Sequence, residues 1–142
     1  MEISLLCVLI YAMWTMVPLI FGIGAYRVGS VLTGRAANSF PADAPHEGPD
    51  WYHRMNRVHL NCVENLPVYA CVVFVGVGLD IEATLWVPVT VAVLVCRVLQ
   101  SLIHMISTSP MAINARFSFF VGQLVGLMVL SGCIVQHVLA PS

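Results

Sequence analysis

Arg57-Val58-His59-Leu60-Asn61-Cys62-Val63-Glu64-Asn65-Leu66-Pro67 opens the second of four long apolar stretches in the sequence. Residues three, four and seven apart share one face of a helix. Arg57, Asn61 and Glu64 therefore form one polar stripe, and Arg54 extends it a turn back. At ~1.5 Å per residue, Glu64 lies about 10 Å further along the axis than Arg57. A carboxylate that deep in an apolar segment is costly unless it meets protein or water. The stripe is thus expected to face the interior of a helix bundle and to carry function.

Composition places this stripe in a membrane. Of 142 residues, 59% are hydrophobic and 9% charged, against roughly 25% charged in a soluble domain. The chain reads as an all-α integral membrane protein with a single four-helix domain over residues 1–142. All six cations are arginine, and no basic run suggests nucleic acid. Cys7, Cys62, Cys71, Cys96 and Cys133 lie inside apolar stretches, which suits small buried hydrophobes better than a disulfide framework. His53, His59, His104 and His137 are scattered without an HExxH or similar spacing, so no metal is expected. His59 lies off the central stripe and is expected to pack against another subunit or the headgroups. The first apolar stretch is too long, and its start too acidic, for a cleaved secretion signal.

The spans are expected at about 3–26, 51–79, 83–106 and 114–139, each close to the ~20 apolar residues that cross a bilayer. The first contains Pro18 and continues towards Leu32, carrying Arg27. Pro41, Pro45 and Pro49, with Asp43, Glu47 and Asp50, make 33–50 an irregular loop. Asp50 is a candidate N-cap for the second helix. Asp80-Ile81-Glu82 is a short turn, and Pro110 falls in a loop at 107–112. Gly122 and Gly126 make a small-xxx-small pair that permits close helix contact. Arg27, Arg35, Arg54, Arg57, Arg97 and Arg116 all gather at one end. Arginine-rich short loops stay cytoplasmic, which puts both termini on the non-cytoplasmic side, of either a bacterial inner membrane or the endoplasmic reticulum.

This topology brings three stripes into one leaflet: Arg57, Asn61 and Glu64; Arg97, Gln100 and His104; and Arg116, Phe120 and Gln123. One alternative is a structural network, with Arg57 paired to Glu64 through Asn61 and other arginines snorkelling to headgroups. The other is a ligand site. Several guanidinium groups around one deep carboxylate leave an excess of positive charge. That excess favours an anionic ligand bearing more than one carboxylate or phosphate, held bidentately. Glu64 would suit an ammonium on the same ligand.

The pattern Arg57-x-His59-x-Asn61-x-x-Glu64-Asn65-x-Pro67 resembles the second-helix signature of the MAPEG family, the membrane-associated proteins in eicosanoid and glutathione metabolism. Chain length, four spans and the arginine opening the fourth span agree with it. The resemblance implies a homotrimer of four-helix subunits binding glutathione between neighbours near the cytoplasmic leaflet, with a lipophilic small molecule or lipid as second partner. It also implies roles residue by residue. Arg54, Arg57, Asn61 and Glu64 resemble the glutathione-holding set of the second helix, and Arg97, Gln100 and His104 that of the third. Arg116 resembles the catalytic arginine facing the thiol, and Arg27 or Arg35 the arginine near the end of the first helix. Two positions depart from glutathione-using members: Leu60 stands where several have arginine, and Phe120 where they often have tyrosine.

The activity implied is attack of an activated glutathione thiol on a lipophilic electrophile, or reduction of a lipid hydroperoxide. A non-catalytic lipid-binding or scaffold role on the same fold is the main rival. A small transporter subunit would need a continuous polar path, and the outer halves of spans two and four are almost wholly apolar.

Overall fold

A computed structural model describes residues 2–40 and 48–139. Four helices run through it: α1, Glu2–Leu32; α2, Asp50–Gly78; α3, Trp86–Ile106; and α4, Pro110–Leu139. Each is long and apolar enough to cross a membrane. The shortest, α3, has 21 residues, which at ~1.5 Å per residue matches a hydrocarbon core of about 30 Å. Pro41, Asp43, Pro45 and Glu47, read as parts of the irregular loop, lie outside the described residues.

Helix boundaries differ from the sequence expectation where proline and acid act at helix starts. Pro49 occupies the N-cap of α2, and Asp50 makes no side-chain capping bond. As the first helical residue, Asp50 instead puts its charge beside the positive end of the helix dipole. Pro110 begins α4 rather than breaking a loop, because the first helical position needs no N–H donor. Ser109 accepts from the Ala112 amide at 3.3 Å and supplies the cap. The α2–α3 connection runs over residues 79–85, longer than Asp80–Glu82, and Asp80 takes a left-handed φ of 53° within it.

Helix α1 is not one uniform helix. Between α-helical parts, Pro18–Gly24 is wound as a π-helix. Pro18 has no N–H to donate, and the wider turn passes through that point. Helix α2 grips this segment through Tyr52, Met55 and His59, spaced three and four apart. The Arg27 Nε donates to the Tyr52 hydroxyl at 3.0 Å. Met55 fills the space over Gly22, where an added Cβ would lie 2.5 Å from its Cγ. His59 Nδ1–H donates to the Thr15 carbonyl at 3.0 Å. His59 thus bonds to α1 of its own chain, in a direction off the stripe, and stays partly exposed.

The interior is built by α1, α2 and α3 around Tyr11, Val58, Cys62, Tyr69, Val73 and Val93. Tyr69 donates to the Thr90 carbonyl at 3.0 Å. At the turn end Trp86, Ile81 and Leu130 form a second cluster, with the Trp86 ring lying flush over Gly76. Helices α3 and α4 share the broadest contact, and the small-residue pair makes it possible. A Cβ on Gly126 would meet Val93 Cγ2 at 2.5 Å, and one on Gly122 would touch Cys96.

Candidate functional site

At the arginine end, α2, α3 and α4 leave an open groove of about 380 Å³, within the ~300–1,000 Å³ of small-molecule sites. Helix α2 lines it with Arg57 and Asn61, α3 with Gln100 and His104, and α4 with Ile113, Arg116, Phe117 and Phe120. Each helix contributes residues one turn apart, so the three sequence stripes do meet. His104 stands in the field of Arg116, Arg57 and Arg54 together. Beneath the groove, Gln123 donates to Gln100 Oε1 at 2.8 Å and to the Phe119 carbonyl at 3.1 Å. This fixes the Gln100 amide, so its own N–H groups remain for a ligand.

The other expected site residues do not line this groove. Arg54 donates from Nε to the Met105 carbonyl at 3.2 Å, in the last turn of α3, where carbonyls lack helical partners. It therefore ties α2 to α3 beside His104. Arg27 lies on the α1 side, bonded to Tyr52, with its guanidinium 5.6 Å from the Phe40 ring centre. Arg35 stacks on the same ring at 4.4 Å. Glu64 is exposed on the flank of α2, as is Arg57. Among the described residues no ion pair joins them, so the internal Arg57–Glu64 network weighed as an alternative is not formed.

Arg97 differs from its stripe partners. It is 1% exposed and does not line the groove. Its guanidinium lies 5.8 Å from the ring centre of Tyr11 on α1. Angular spacing puts Arg97 on nearly the same side of α3 as His104, but about 10 Å deeper at ~1.5 Å per residue, where Tyr11 packs over it. Neither its Nε nor its Nη2 has a hydrogen-bond partner. Burying an ion costs several kcal/mol, and a desolvated cation–π contact returns only about 2 kcal/mol.

A model described as the MAPEG family matches residues 4–136. The chain belongs to the MAPEG family. The all-helical bundle with four potential spans is consistent with the MAPEG fold, and membership supports a role related to glutathione or eicosanoid metabolism. No curated protein and no solved structure matched the chain significantly.

Within this MAPEG chain the two departures are now located. Leu60 is 57% exposed, one residue from Asn61 but off the groove. Phe120 lines the groove itself and contributes an apolar wall. Sequence reasoning did not single out Ile113 and Phe117, which complete that wall. The signal was present: Ile113, Arg116, Phe117 and Phe120 repeat at three and four residues, as one helix face must.

Proposed function

We propose that this MAPEG protein is a multi-pass membrane glutathione transferase or peroxidase, assembled as a homotrimer with both termini on the non-cytoplasmic side. Its substrates are glutathione and a lipophilic electrophile or lipid hydroperoxide. The observation that carries this reading is the groove in which Arg57, Asn61, Gln100, His104 and Arg116 converge. Those donors suit the carboxylates of the tripeptide. Glu64 suits its ammonium, and its exposure in the single subunit fits a site shared with a neighbour, since a carboxylate facing lipid is strongly disfavoured.

Arg116 is assigned to the thiol. A free thiol has a pKa of about 8.5, and thiolate is the nucleophile. Lowering that value by two units takes about 2.7 kcal/mol. A guanidinium at 4 Å supplies up to about 4 kcal/mol at an effective dielectric of 20, so no separate base is needed. In conjugation the sulfur forms a bond to carbon, as a leaving group departs or an activated double bond takes up the electron pair. In the peroxidase reaction two glutathiones are oxidised to their disulfide, and the hydroperoxide O–O bond is cleaved to an alcohol and water. Phe117, Phe120 and Ile113 form the apolar side on which the lipophilic substrate approaches.

A non-catalytic lipid-binding role on the same fold is favoured by one observation, the apolar Phe120 in the groove. Two measurements separate the readings. Calorimetry should give saturable glutathione binding that Glu64→Gln weakens. A thiol-conjugation assay in detergent should give turnover. Binding without turnover over a broad electrophile panel selects the non-catalytic role, and no binding at millimolar glutathione sinks both glutathione readings.

A further inference from the structure

One face of α1 carries a space that the bundle leaves unfilled. It measures about 590 Å³, and residues 19–28 of α1 alone line it. Leu19, Ile20, Ile23 and Val28 make it apolar, and Arg27 is its one charged group. It overlaps the π-helical stretch Pro18–Gly24. A second space of about 280 Å³ shares Arg27 and Val28 with it and extends to Val31, Leu32 and Phe40. None of these residues lines the groove at Arg116. One helix walls only one side of the larger space, so its occupant comes from outside the chain.

Arg27 sets the charge of that occupant. Its Nε is taken by the Tyr52 hydroxyl at 3.0 Å, and its two terminal nitrogens bond to no described residue. The Arg35 guanidinium lies over the same Phe40 ring, 4.4 Å from its centre against 5.6 Å for Arg27, so two positive charges flank one point. Tyr26 packs beside them against Tyr52 and Trp51, with ring centres 4.3 and 5.7 Å apart. Tyr and Trp gather at headgroup level, which sets Arg27 at the depth of lipid phosphates. From there inward to Leu19 is about 12 Å at ~1.5 Å per residue, close to one leaflet, half of a hydrocarbon core of about 30 Å.

A neighbouring subunit fits this trough less well. Rotation about an axis normal to the membrane keeps every residue at its depth. Glu64 stays about 18 Å along α2 from Tyr52, which leaves Asp50 as the one described acid level with Arg27. Asp50 already faces the positive end of the α2 dipole. A phosphodiester accepts bidentately from a guanidinium, and an acyl chain joined to it fills the apolar length that a free anion would leave open.

We propose that the α1 trough binds one anionic phospholipid, its phosphate on the terminal nitrogens of Arg27 and an acyl chain along Leu19, Ile20 and Ile23. The lipid is held and not converted. The site is separate from the groove and independent of whether glutathione is the groove's ligand.

The test is thermal unfolding of purified protein in detergent, followed by tryptophan fluorescence, with dioleoylphosphatidylglycerol titrated against dioleoylphosphatidylcholine. A ligand that binds only the folded state raises the midpoint with its concentration. Phosphatidylglycerol should raise it saturably, with a half-point several-fold below that of phosphatidylcholine, and Arg27→Gln should erase this preference. Ala25 is exposed and lines the trough, so Ala25→Phe should raise the half-point several-fold, and it serves also where Arg27→Gln does not fold. Arg116→Leu should leave the lipid response unchanged. Equal curves for the two lipids overturn the proposal. So does a preference kept in Arg27→Gln, a half-point unmoved by Ala25→Phe, or a response lost in Arg116→Leu. Inorganic phosphate reproducing the rise would overturn it in favour of a free anion, and loss of the preference in saturating glutathione would give Arg27 to the tripeptide. Asp50→Asn lowering the midpoint as far as Arg27→Gln, with no lipid preference in the wild type, would give the trough to a neighbouring subunit.

Discussion

At the turn end of the bundle Trp86 lies flush over Gly76 and against Ile81 and Leu130. At the arginine end, helices meet through longer reaches: Arg27 to Tyr52, Arg54 to the Met105 carbonyl, Gln123 to Gln100. Lipid tails are as apolar as leucine, so burying apolar surface between helices gains little there. Close van der Waals fit and interhelical hydrogen bonds do the holding. The turn end uses the first means and brings backbones together. The arginine end uses the second, and the separation it leaves is the groove. A membrane bundle can thus place its closest packing and its polar groove at opposite ends.

Substitutions should separate the two ends. Trp86→Ala is expected to cost the most, about 3–5 kcal/mol of unfolding free energy, measured in mixed micelles. Glutathione affinity of the folded fraction should stay unchanged. A loss of affinity equal to the loss of stability would break the contrast. Arg116→Leu should do the reverse: turnover falls ~100-fold, the rate equivalent of about 2.7 kcal/mol, with the unfolding midpoint little moved. If glutathione binding and kcat fall equally, Arg116 holds the ligand rather than activating its thiol.

Gln123→Leu sharpens the comparison, because Gln123 supports the groove from the packed interior. Leaving the Gln100 carbonyl without its donor should cost about 1–2 kcal/mol in stability and weaken glutathione binding as well. A change in stability alone would show that Gln100 does not contact the ligand. Phe120→Tyr should have the smallest effect, a few-fold gain in glutathione affinity or turnover, worth about 0.5–1.5 kcal/mol for one added hydrogen bond. Steady-state kinetics would detect it, and no gain would mean that the Phe120 ring edge faces away from the thiol.

The four helices were legible because a 59% apolar chain divides into stretches long enough to span. The convergence of Arg57, Asn61, Gln100, His104 and Arg116 was legible because helical spacing fixes angle, and the alternating direction of the spans fixes the leaflet. Depth and neighbours were not. Arg97 shares its side of α3 with His104, yet Tyr11 of α1 covers one and not the other, and nothing local to residues 97–104 encodes that. The partner of His59 was hidden for the same reason, being a backbone carbonyl 44 residues away. Pro110 was read as a loop breaker when it opens a helix, since proline signals both and only Ser109 tells them apart.

The π-helical stretch Pro18–Gly24 also acts as a phase offset. Wider turns accumulate angle differently from the α-helix, so the residues after Gly24 point in directions that extrapolation from Glu2–Val17 would miss. The packing of Tyr11 and Thr15 and the aim of Arg27 can then be tuned independently, on one continuous rod. It also sets a length rule. Removing a single residue within 18–24 would swing Arg27 through about 100° and away from Tyr52. Insertions and deletions in this protein should therefore be judged by helical phase as much as by position.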